Sequence, residues 1–183
     1  MAGDPLKRIV ALIGLLVVGN VWSARAANVK QFDLNGQDTL TITMPQAIRV
    51  RLAPSEDGKP PQLILSDTNK VCEMHVTLAR NDGKLSDDQI KGRLLAAGQR
   101  LLPAVVEKEI KLQKLGGNTF TYFYFELTDN RTDPSQGNRS IVQGLGRSTR
   151  YVCEFVMSTR RKSADVNAQV LNSLRSIDIR AKK

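Results

Sequence analysis

The sequence has few of the residues that usually carry catalysis or metal binding. It contains one histidine, two cysteines and one tryptophan among 183 residues. The histidine, His75, lies in an alternating stretch, and no motif joins it to a nucleophile or a carboxylate pair, so we interpret it as structural or solvent-facing. Alternation would also point Cys72 and His75 to opposite faces of a strand, so the two cannot share a zinc site. We therefore expect no metal, no cofactor and no enzymatic activity.

The two cysteines, Cys72 and Cys153, form no CxxC redox motif, and each lies within the same tripeptide, VCE. An even number of cysteines in an exported chain favours a disulfide, so we predict a Cys72–Cys153 bridge, with two buried thiols as the alternative. Such a bridge would make Glu73 and Glu154 neighbours on the opposite face of the sheet. Paired carboxylates are the machinery of glycoside hydrolysis, so a hydrolase that uses Glu73 and Glu154 is one alternative function.

No apolar run is long enough for a membrane-spanning helix, which needs ~20 residues. Residues 9–18 are apolar apart from Gly14, and polar residues interrupt the run soon afterwards. A basic pair precedes the run, and Ala24-Arg25-Ala26 supplies small residues at the positions that a signal peptidase recognises. We predict that residues 1–26 are a signal peptide cleaved near Ala26. Residues 27–183 would then be a single periplasmic or secreted domain.

The predicted cleavage would lower the net charge from +9 to +7, because the removed segment contains three basic residues and one acidic residue. It would also remove Trp22, the only tryptophan. This charge favours anionic surfaces, which makes a basic module that docks on membrane or envelope polyanions a second alternative function. However, acidic residues are interspersed with the basic ones, and the longest basic run is residues 160–162. This pattern is more typical of a solvated surface of mixed charge.

The segment 119–128, TFTYFYFELT, holds most of the aromatic residues outside the predicted signal peptide. A strand that is apolar on both faces needs cover on both, so we predict that it is a central strand of a sandwiched sheet. Tyr122 and Tyr124, with Arg147 and Arg150, would suit a stacking platform for nucleic acid, but core packing and export argue against that ligand. Alternation assigns the side chains to two faces: Phe120, Tyr122 and Tyr124 on one, and Phe123, Phe125 and Leu127 on the other.

The rest of the chain divides into strands and two helices. Ser86 and Gln89 form a capping box that predicts a helix ending near Leu102, before Pro103. Ser163 is the expected cap of a second helix. The predicted strands form a hairpin over residues 28–44 around Asn35-Gly36, then lie at 47–52, 62–66, 71–80 and 110–115, with a final hairpin that turns at 144–148 and returns over 150–158.

This order of elements resembles the PsbP and DcrB family of exported α/β sandwich proteins. The resemblance covers nearly all of the predicted mature chain. Its features are the early strand LTITMP, the capped helix after the middle strands, the aromatic strand followed by a loop and a glycine-bearing hairpin, and the closing helix with VLNSLRSIDI. It implies an α+β fold, a mainly antiparallel twisted sheet sandwiched between helices. It also implies an accessory or binding role rather than catalysis. No family site motif matches, so no residue role carries over.

We therefore expect an exported, periplasmic, non-enzymatic binding or accessory protein of the cell envelope. Its expected partner is a protein or another envelope component, with anionic lipid or polyanion as the weaker alternative and nucleic acid excluded. Two N-x-S/T matches, at residues 130–132 and 138–140, leave a eukaryotic secreted protein open.

Overall fold

The computed structural model describes residues 28–34, 36–53, 60–130, 139–160 and 164–182. Within these ranges the chain is an α+β protein with antiparallel sheets and two α-helices, which confirms the expected fold class. The strands are β1 (Asn28–Leu34), β2 (Asp38–Met44), β3 (Ile48–Ala53), β4 (Gln62–Asp67), β5 (Cys72–Arg80), β6 (Gln113–Gly116), β7 (Thr121–Thr128), β8 (Ser140–Arg147), β9 (Tyr151–Thr159) and β10 (Asp178–Ala181), and the helices are α1 (Asp87–Leu101) and α2 (Ala164–Arg175).

The strands form two sheets. The large sheet has the order β3-β4-β5-β9-β8-β7-β6, and the small sheet has the order β1-β2-β10. The N-terminal hairpin of the small sheet is the predicted one, and the final strand β10 pairs with β2. All these pairings are antiparallel, so neighbouring strands run in opposite directions across both sheets.

The two faces of the large sheet are covered differently. Its inner face packs against α2 and the small sheet, in a core that includes Tyr122 and Phe155. Its other face, which we call the α1 face, receives α1 on β7 and β8, where Phe123 and Phe125 pack against Ile90. The aromatic strand β7 is therefore covered on both sides, as its composition predicts. It lies next to the edge strand β6, whereas β9 occupies the centre of the sheet.

Two glycines in β8 make room for this aromatic core. A Cβ at Gly146 would lie 2.2 Å from the Tyr122 ring, and a Cβ at Gly144 would lie 2.2 Å from the Phe155 ring. The predicted turn at 144–148 is therefore wrong, because these glycines belong to the middle of a strand that continues to Arg147. Aromatic rings from neighbouring strands occupy the space that side chains at these two positions would take. Glycine here therefore allows close packing rather than a turn of the chain.

The first helix begins as the capping box predicts. Ser86 Oγ accepts a hydrogen bond from the Gln89 backbone N–H at 3.2 Å, and Gln89 Oε1 accepts one from the Ser86 N–H at 2.8 Å. These reciprocal bonds satisfy backbone donors that the first turn leaves without helical partners. The helix ends at Leu101, and a 3-10 turn over Leu102–Ala104 contains Pro103. Residues 105–112 then run irregularly before β6, so the predicted strand at 110–115 is shorter and later than expected.

Several expectations lie outside the described residues: the predicted signal peptide and its cleavage point, Asn35 in the first turn and the Ser163 cap. In the part of the chain that the structure describes, no helix has the length and hydropathy needed to cross a membrane.

Candidate functional site

A buried carboxylate lies at one end of the space between the two sheets. Asp38 begins β2, and its side chain shares the inward face of that strand with apolar residues such as Leu40. Asp38 is 0% exposed. Burial of a carboxylate is unfavourable unless charged and hydrogen-bonding partners compensate for the lost water. Three side chains from the large sheet provide this compensation.

These partners are Arg80 at the end of β5, Arg150 in the turn before β9, and Tyr151 at the start of β9. Arg150 Nη2 and the Tyr151 hydroxyl donate hydrogen bonds to the two Asp38 oxygens, and Arg80 Nη2 lies 3.3 Å from Asp38 Oδ2. The Arg80 and Arg150 guanidinium carbons lie 4.8 and 5.7 Å from the centre of the Tyr151 ring. We call these four residues the Asp38 cluster. Because they come from both sheets, the cluster ties the sheets together at this end.

Electrostatics within the cluster favour the charged form of its acid. Hydrogen bonds from Tyr151 and then Arg150 hold the pKa of Asp38 below its ordinary value, despite its burial. Burial, followed by the hydrogen bond to Asp38, raises the pKa of Tyr151. At neutral pH the cluster therefore contains one carboxylate, one neutral phenol and two guanidinium groups, which leaves a surplus positive charge. The Arg80 and Arg150 side chains remain 37% and 46% exposed.

A small pocket of about 190 Å³ adjoins the cluster. Its polar lining comes largely from the turn between β8 and β9, in which Ser148 Oγ accepts hydrogen bonds from the backbone N–H groups of Arg150 and Tyr151 at 3.3 and 2.9 Å. These bonds order the turn that presents the Arg150 side chain. The pocket is lined by Thr119, Ser148, Thr149, Arg150, Tyr151 and Ile179.

A second surface lies on the α1 face of the large sheet, beyond the strands that α1 covers. The pairing register places residues of β3, β4, β5 and β9 side by side there, and most of their side chains are exposed. We call this surface the open half-face. Val156, 40% exposed, lies on β9 opposite His75, at the border of this surface, and Ile64, 8% exposed, lies on β4 on the other side of His75. The surface consists of Arg49, Arg51, Gln62, Ile64, Ser66, Glu73, His75, Thr77, Glu154, Val156 and Ser158.

The two candidate carboxylates of a hydrolase lie on this open half-face but do not form a pair. Glu73 is opposite Ser158, and Glu154 is opposite Thr77. This offset of four positions separates them by ~13 Å along the strands, at ~3.3 Å per residue. Both are exposed, and Glu73 is paired instead with His75, at 2.7 Å. Hydrolytic carboxylate pairs lie ~5–9.5 Å apart around the scissile bond. The geometry therefore contradicts the hydrolase alternative.

The predicted Cys72–Cys153 bridge is also wrong, because both cysteines are free and buried. They do lie on adjacent strands, but Cys72 is opposite Thr159 and Cys153 is opposite Leu78. The six-position offset separates them by ~20 Å along the strands, whereas a disulfide requires Cα atoms within ~7 Å. Burial raises the pKa of each thiol to about 12, so both remain protonated and pack as small apolar side chains.

The residues considered for a nucleic-acid platform are not arranged for stacking. Tyr122 is 0% exposed, and its hydroxyl donates a hydrogen bond to the Leu174 carbonyl at 3.1 Å. Tyr124 is half-buried and donates to Gln113 Oε1 at 2.7 Å. Arg147 is paired with Asp87 at 2.5 Å. The tyrosines therefore belong to the core and its border, as the composition of β7 favours.

A cleft of about 570 Å³ runs beside β7 and carries charges of both signs. One of its carboxylates, Glu107, accepts hydrogen bonds from the backbone N–H and the hydroxyl of Thr128 at 2.8 and 2.9 Å. Glu126 accepts one from Asn167 at 3.3 Å. These carboxylates hold the irregular segment before β6 and helix α2 against the sheet, so the cleft carries structural contacts rather than a distinct chemical site.

Basic side chains are paired with acidic ones at several separate places around the described molecule. Examples are Lys91 with Asp88 at 3.2 Å and Lys111 with Glu109 at 3.1 Å. This distribution matches a surface of mixed charge, as the interspersed sequence pattern favours. The Asp38 cluster differs because two arginines share one acid there.

Comparisons with known proteins show the fold. No sequence family matches the chain, and no curated protein matches it. Among solved structures, cyanobacterial PsbP (CyanoP) from Synechocystis sp. PCC 6803 is similar with a TM-score of 0.51 and 10% identity, over 89% of this chain and 99% of that one. The chain thus has a PsbP-like fold. At this identity the similarity concerns the fold alone.

Two further structures match more weakly. A protein from Bacteroides thetaiotaomicron VPI-5482 has a TM-score of 0.44 and 7% identity over 79% of this chain, which spans only 45% of the length of that protein. The Ran-binding protein Mog1p of Saccharomyces cerevisiae has a TM-score of 0.41 and 13% identity, over 81% of this chain and 85% of that one.

Sequence reasoning missed Asp38 and Arg80. The signal was present, because Asp38 continues the stripe of Leu40 and Ile42, and Arg80 continues the stripe of Met74, Val76 and Leu78. A charge at the end of an apolar stripe points toward the core, where it needs a partner of opposite charge.

Proposed function

We propose that this chain is an exported, non-catalytic binding protein that acts as an accessory subunit, with the open half-face as the surface that receives a partner protein. The observation that carries the proposal is the exposure of the open half-face on the large sheet, next to the strands β7 and β8 that α1 covers. A sheet face that shows apolar side chains among charged and polar ones has the composition of a protein contact surface.

The arrangement of charge describes the partner. Arg49 and Arg51 form a basic column on the edge strand β3, and Glu73 and Glu154 carry negative charge on β5 and β9. Val156 lies on β9 two positions along from Glu154, and Ile64 lies on β4 between the arginines of β3 and His75 of β5. A matching protein surface would offer carboxylates to β3 and an apolar side chain to Val156. Complementary charge of this kind sets orientation and association rate, while the apolar contact at Val156 contributes to the affinity.

Export is supported by the basic start, apolar run and small-residue cleavage pattern of the first 26 residues. The test is the intact mass of the protein isolated from its native host. A chain that starts at Ala27 is the expected result. A full-length chain recovered from the cytosol would contradict export while leaving the partner surface to be tested separately.

The partner surface is tested with two matched valines. Val156 is on the open half-face, and Val29, 59% exposed, is on β1 of the small sheet. A charge introduced at an apolar contact of an interface is expected to weaken association by about tenfold, because the new charge loses water without gaining a partner. Val156→Arg should therefore lose the partner proteins that copurify with the tagged chain, and Val29→Arg should retain them. Equal retention by both variants, or equal loss, would contradict the proposal.

A further inference from the structure

The Asp38 cluster has more positive charge than its structural role requires. A single buried carboxylate needs one cation for neutralisation, yet Arg80 and Arg150 both converge on Asp38. The second guanidinium stabilises the sheet junction but leaves the cluster with a net positive charge at the protein surface. This surplus is the first indication that the cluster receives an anion.

The two guanidinium groups are also held in place before any ligand arrives. Each is fixed through its Nη2 atom, since Arg150 Nη2 and Arg80 Nη2 contact Asp38, and Arg80 Nη2 also donates to Gln37 Oε1 at 3.1 Å. The Tyr151 ring lies beneath both groups. Among the described contacts, the Nε and Nη1 donors of both arginines are not used, and both side chains remain partly exposed. Side chains fixed in this way lose less entropy when they bind a ligand.

The adjoining pocket supplies room and hydroxyl groups beside Arg150. At about 190 Å³ it suits a single compact group rather than an extended chain. Ser148 and Thr119 at its wall are already engaged, since Ser148 Oγ donates to the Tyr151 carbonyl at 3.2 Å and Thr119 Oγ1 accepts from the Ile179 N–H at 3.0 Å. The exposed residue Thr149 lies between Ser148 and Arg150 and adds a further hydroxyl to the lining.

We infer that the Asp38 cluster and its pocket bind a phosphoryl group. Arg150 and the Thr149 hydroxyl, which line the pocket, can donate to separate oxygens of one tetrahedral anion, and Arg80, which contacts Asp38 outside the pocket lining, adds positive charge beside it. Asp38 acts as a positioning residue: it aims both arginines and does not touch the ligand. The phosphoryl group belongs either to a soluble phosphate ester or to the headgroup of an anionic lipid, because both present the same chemistry.

The test is a phosphate titration of the full chain, followed by nuclear magnetic resonance of the arginine Nε–H groups and the backbone amides of the 148–151 turn. Sodium chloride at matched ionic strength is the control for screening. The expected result is a saturable shift with phosphate that is confined to this end of the molecule. A linear response equal to that of chloride would overturn the inference.

Substitutions then locate the site. Arg150→Gln should weaken phosphate binding by about tenfold, as expected for the loss of charge-assisted hydrogen bonds. Arg49→Gln, on the open half-face, removes the same charge and should bind as the unmodified chain does. Arg150→Lys keeps a positive charge beside Asp38, so it replaces Arg150→Gln in this test if that variant fails to fold. It should bind phosphate several-fold more weakly than the unmodified chain, because lysine lacks the planar fork of donors. Equal losses in Arg150→Gln and Arg49→Gln, or full binding by Arg150→Lys, would overturn the inference.

Vesicles distinguish the two sources. Phosphatidylcholine vesicles with and without phosphatidic acid are sedimented with the unmodified chain and with Arg150→Gln. Binding that requires phosphatidic acid and is lost in Arg150→Gln assigns the site to a lipid headgroup. Absence of vesicle binding, with phosphate binding intact, assigns it to a soluble ester. Vesicle binding that Arg150→Gln retains would contradict the site. None of these results depends on whether the open half-face binds a protein.

Discussion

Neutralisation of Asp38 tests whether the cluster ties the two sheets together. Asp38→Asn keeps the shape of the side chain but removes the charge that Arg80 and Arg150 contact. It also places an amide N–H group where one of three donors now points, since both carboxylate oxygens accept contacts. The variant therefore loses charge-assisted hydrogen bonds and gains a donor that faces other donors.

The expected cost is about 2 kcal/mol in the free energy of unfolding. Hydrogen bonds to a charged group each contribute ~1.5–3 kcal/mol, and removal of one partner from a fully buried ion pair costs ~3–5 kcal/mol. The lower value applies because the two arginines that contact Asp38 are 37% and 46% exposed, so solvent screens their interaction with it. With a urea m-value of ~2 kcal/mol/M, the transition midpoint should fall by ~1 M. Circular dichroism is the suitable probe, because cleavage near Ala26 would remove the only tryptophan.

The pH dependence of the free energy of unfolding provides an independent test of the Asp38 cluster. The folded pKa of Asp38 lies below its ordinary value of 3.8, so its stabilisation is fully present above the unfolded pKa and is lost as the pH falls through the folded pKa. The difference in the free energy of unfolding between the unmodified chain and Asp38→Asn should be constant from pH 7 to pH 5, since both pH values lie above the unfolded aspartate pKa of ~3.9. This difference should shrink below pH ~4. A difference under ~0.5 kcal/mol at pH 7, the range of ordinary surface substitutions, would refute the reasoning. A difference that is unchanged at pH 3 would refute it as well.

Three further predictions concern the fold. Gly146→Ala should destabilise the protein by ~1–3 kcal/mol in urea unfolding, because the new Cβ would lie 2.2 Å from the Tyr122 ring, and a cost below that range would show that the ring moves freely. Cys72 and Cys153 should resist thiol reagents in the folded state and react fully in denaturant without reductant. Labelling in denaturant that requires reductant would show instead that the two cysteines form a disulfide. Ser86→Ala should lower the free energy of unfolding by ~1 kcal/mol, measured by heat or urea, because the N-cap hydrogen bond is lost. An unchanged midpoint would show that this hydrogen bond does not stabilise the protein.

Local elements were predictable because their signals are local. The capping box at Ser86 specified where α1 begins, and alternation placed the β7 side chains on two apolar faces. The glycines of β8 were misread as a turn, because the sequence does not show that the Tyr122 and Phe155 rings lie against them. Glycine in a strand interior and glycine in a turn have the same local pattern.

Strand pairing is the information that local patterns lack. The VCE repeats suggested that Cys72 and Cys153 face each other, and the strands that contain them do pair, but with a six-position offset. Register depends on the turns and the packing of the whole sheet rather than on tripeptide context. The apolar stripes of β2 and β5 indicate that Asp38 and Arg80 point inward, but not which residues meet them, since the members of the Asp38 cluster come from β2, β5, the β8–β9 turn and the start of β9, and only the assembled sandwich brings them together.

The central claim is that a partner protein lies on the open half-face, and site-specific photo-crosslinking in the native host tests it most directly. A photoreactive residue would replace Val156 in one strain and Val29 in another, so that both probes sit on exposed strand positions of different sheets. The proposal predicts a discrete crosslinked product from position 156 and none of the same mass from position 29. The same product from both positions, or a product from position 29 alone, would contradict it.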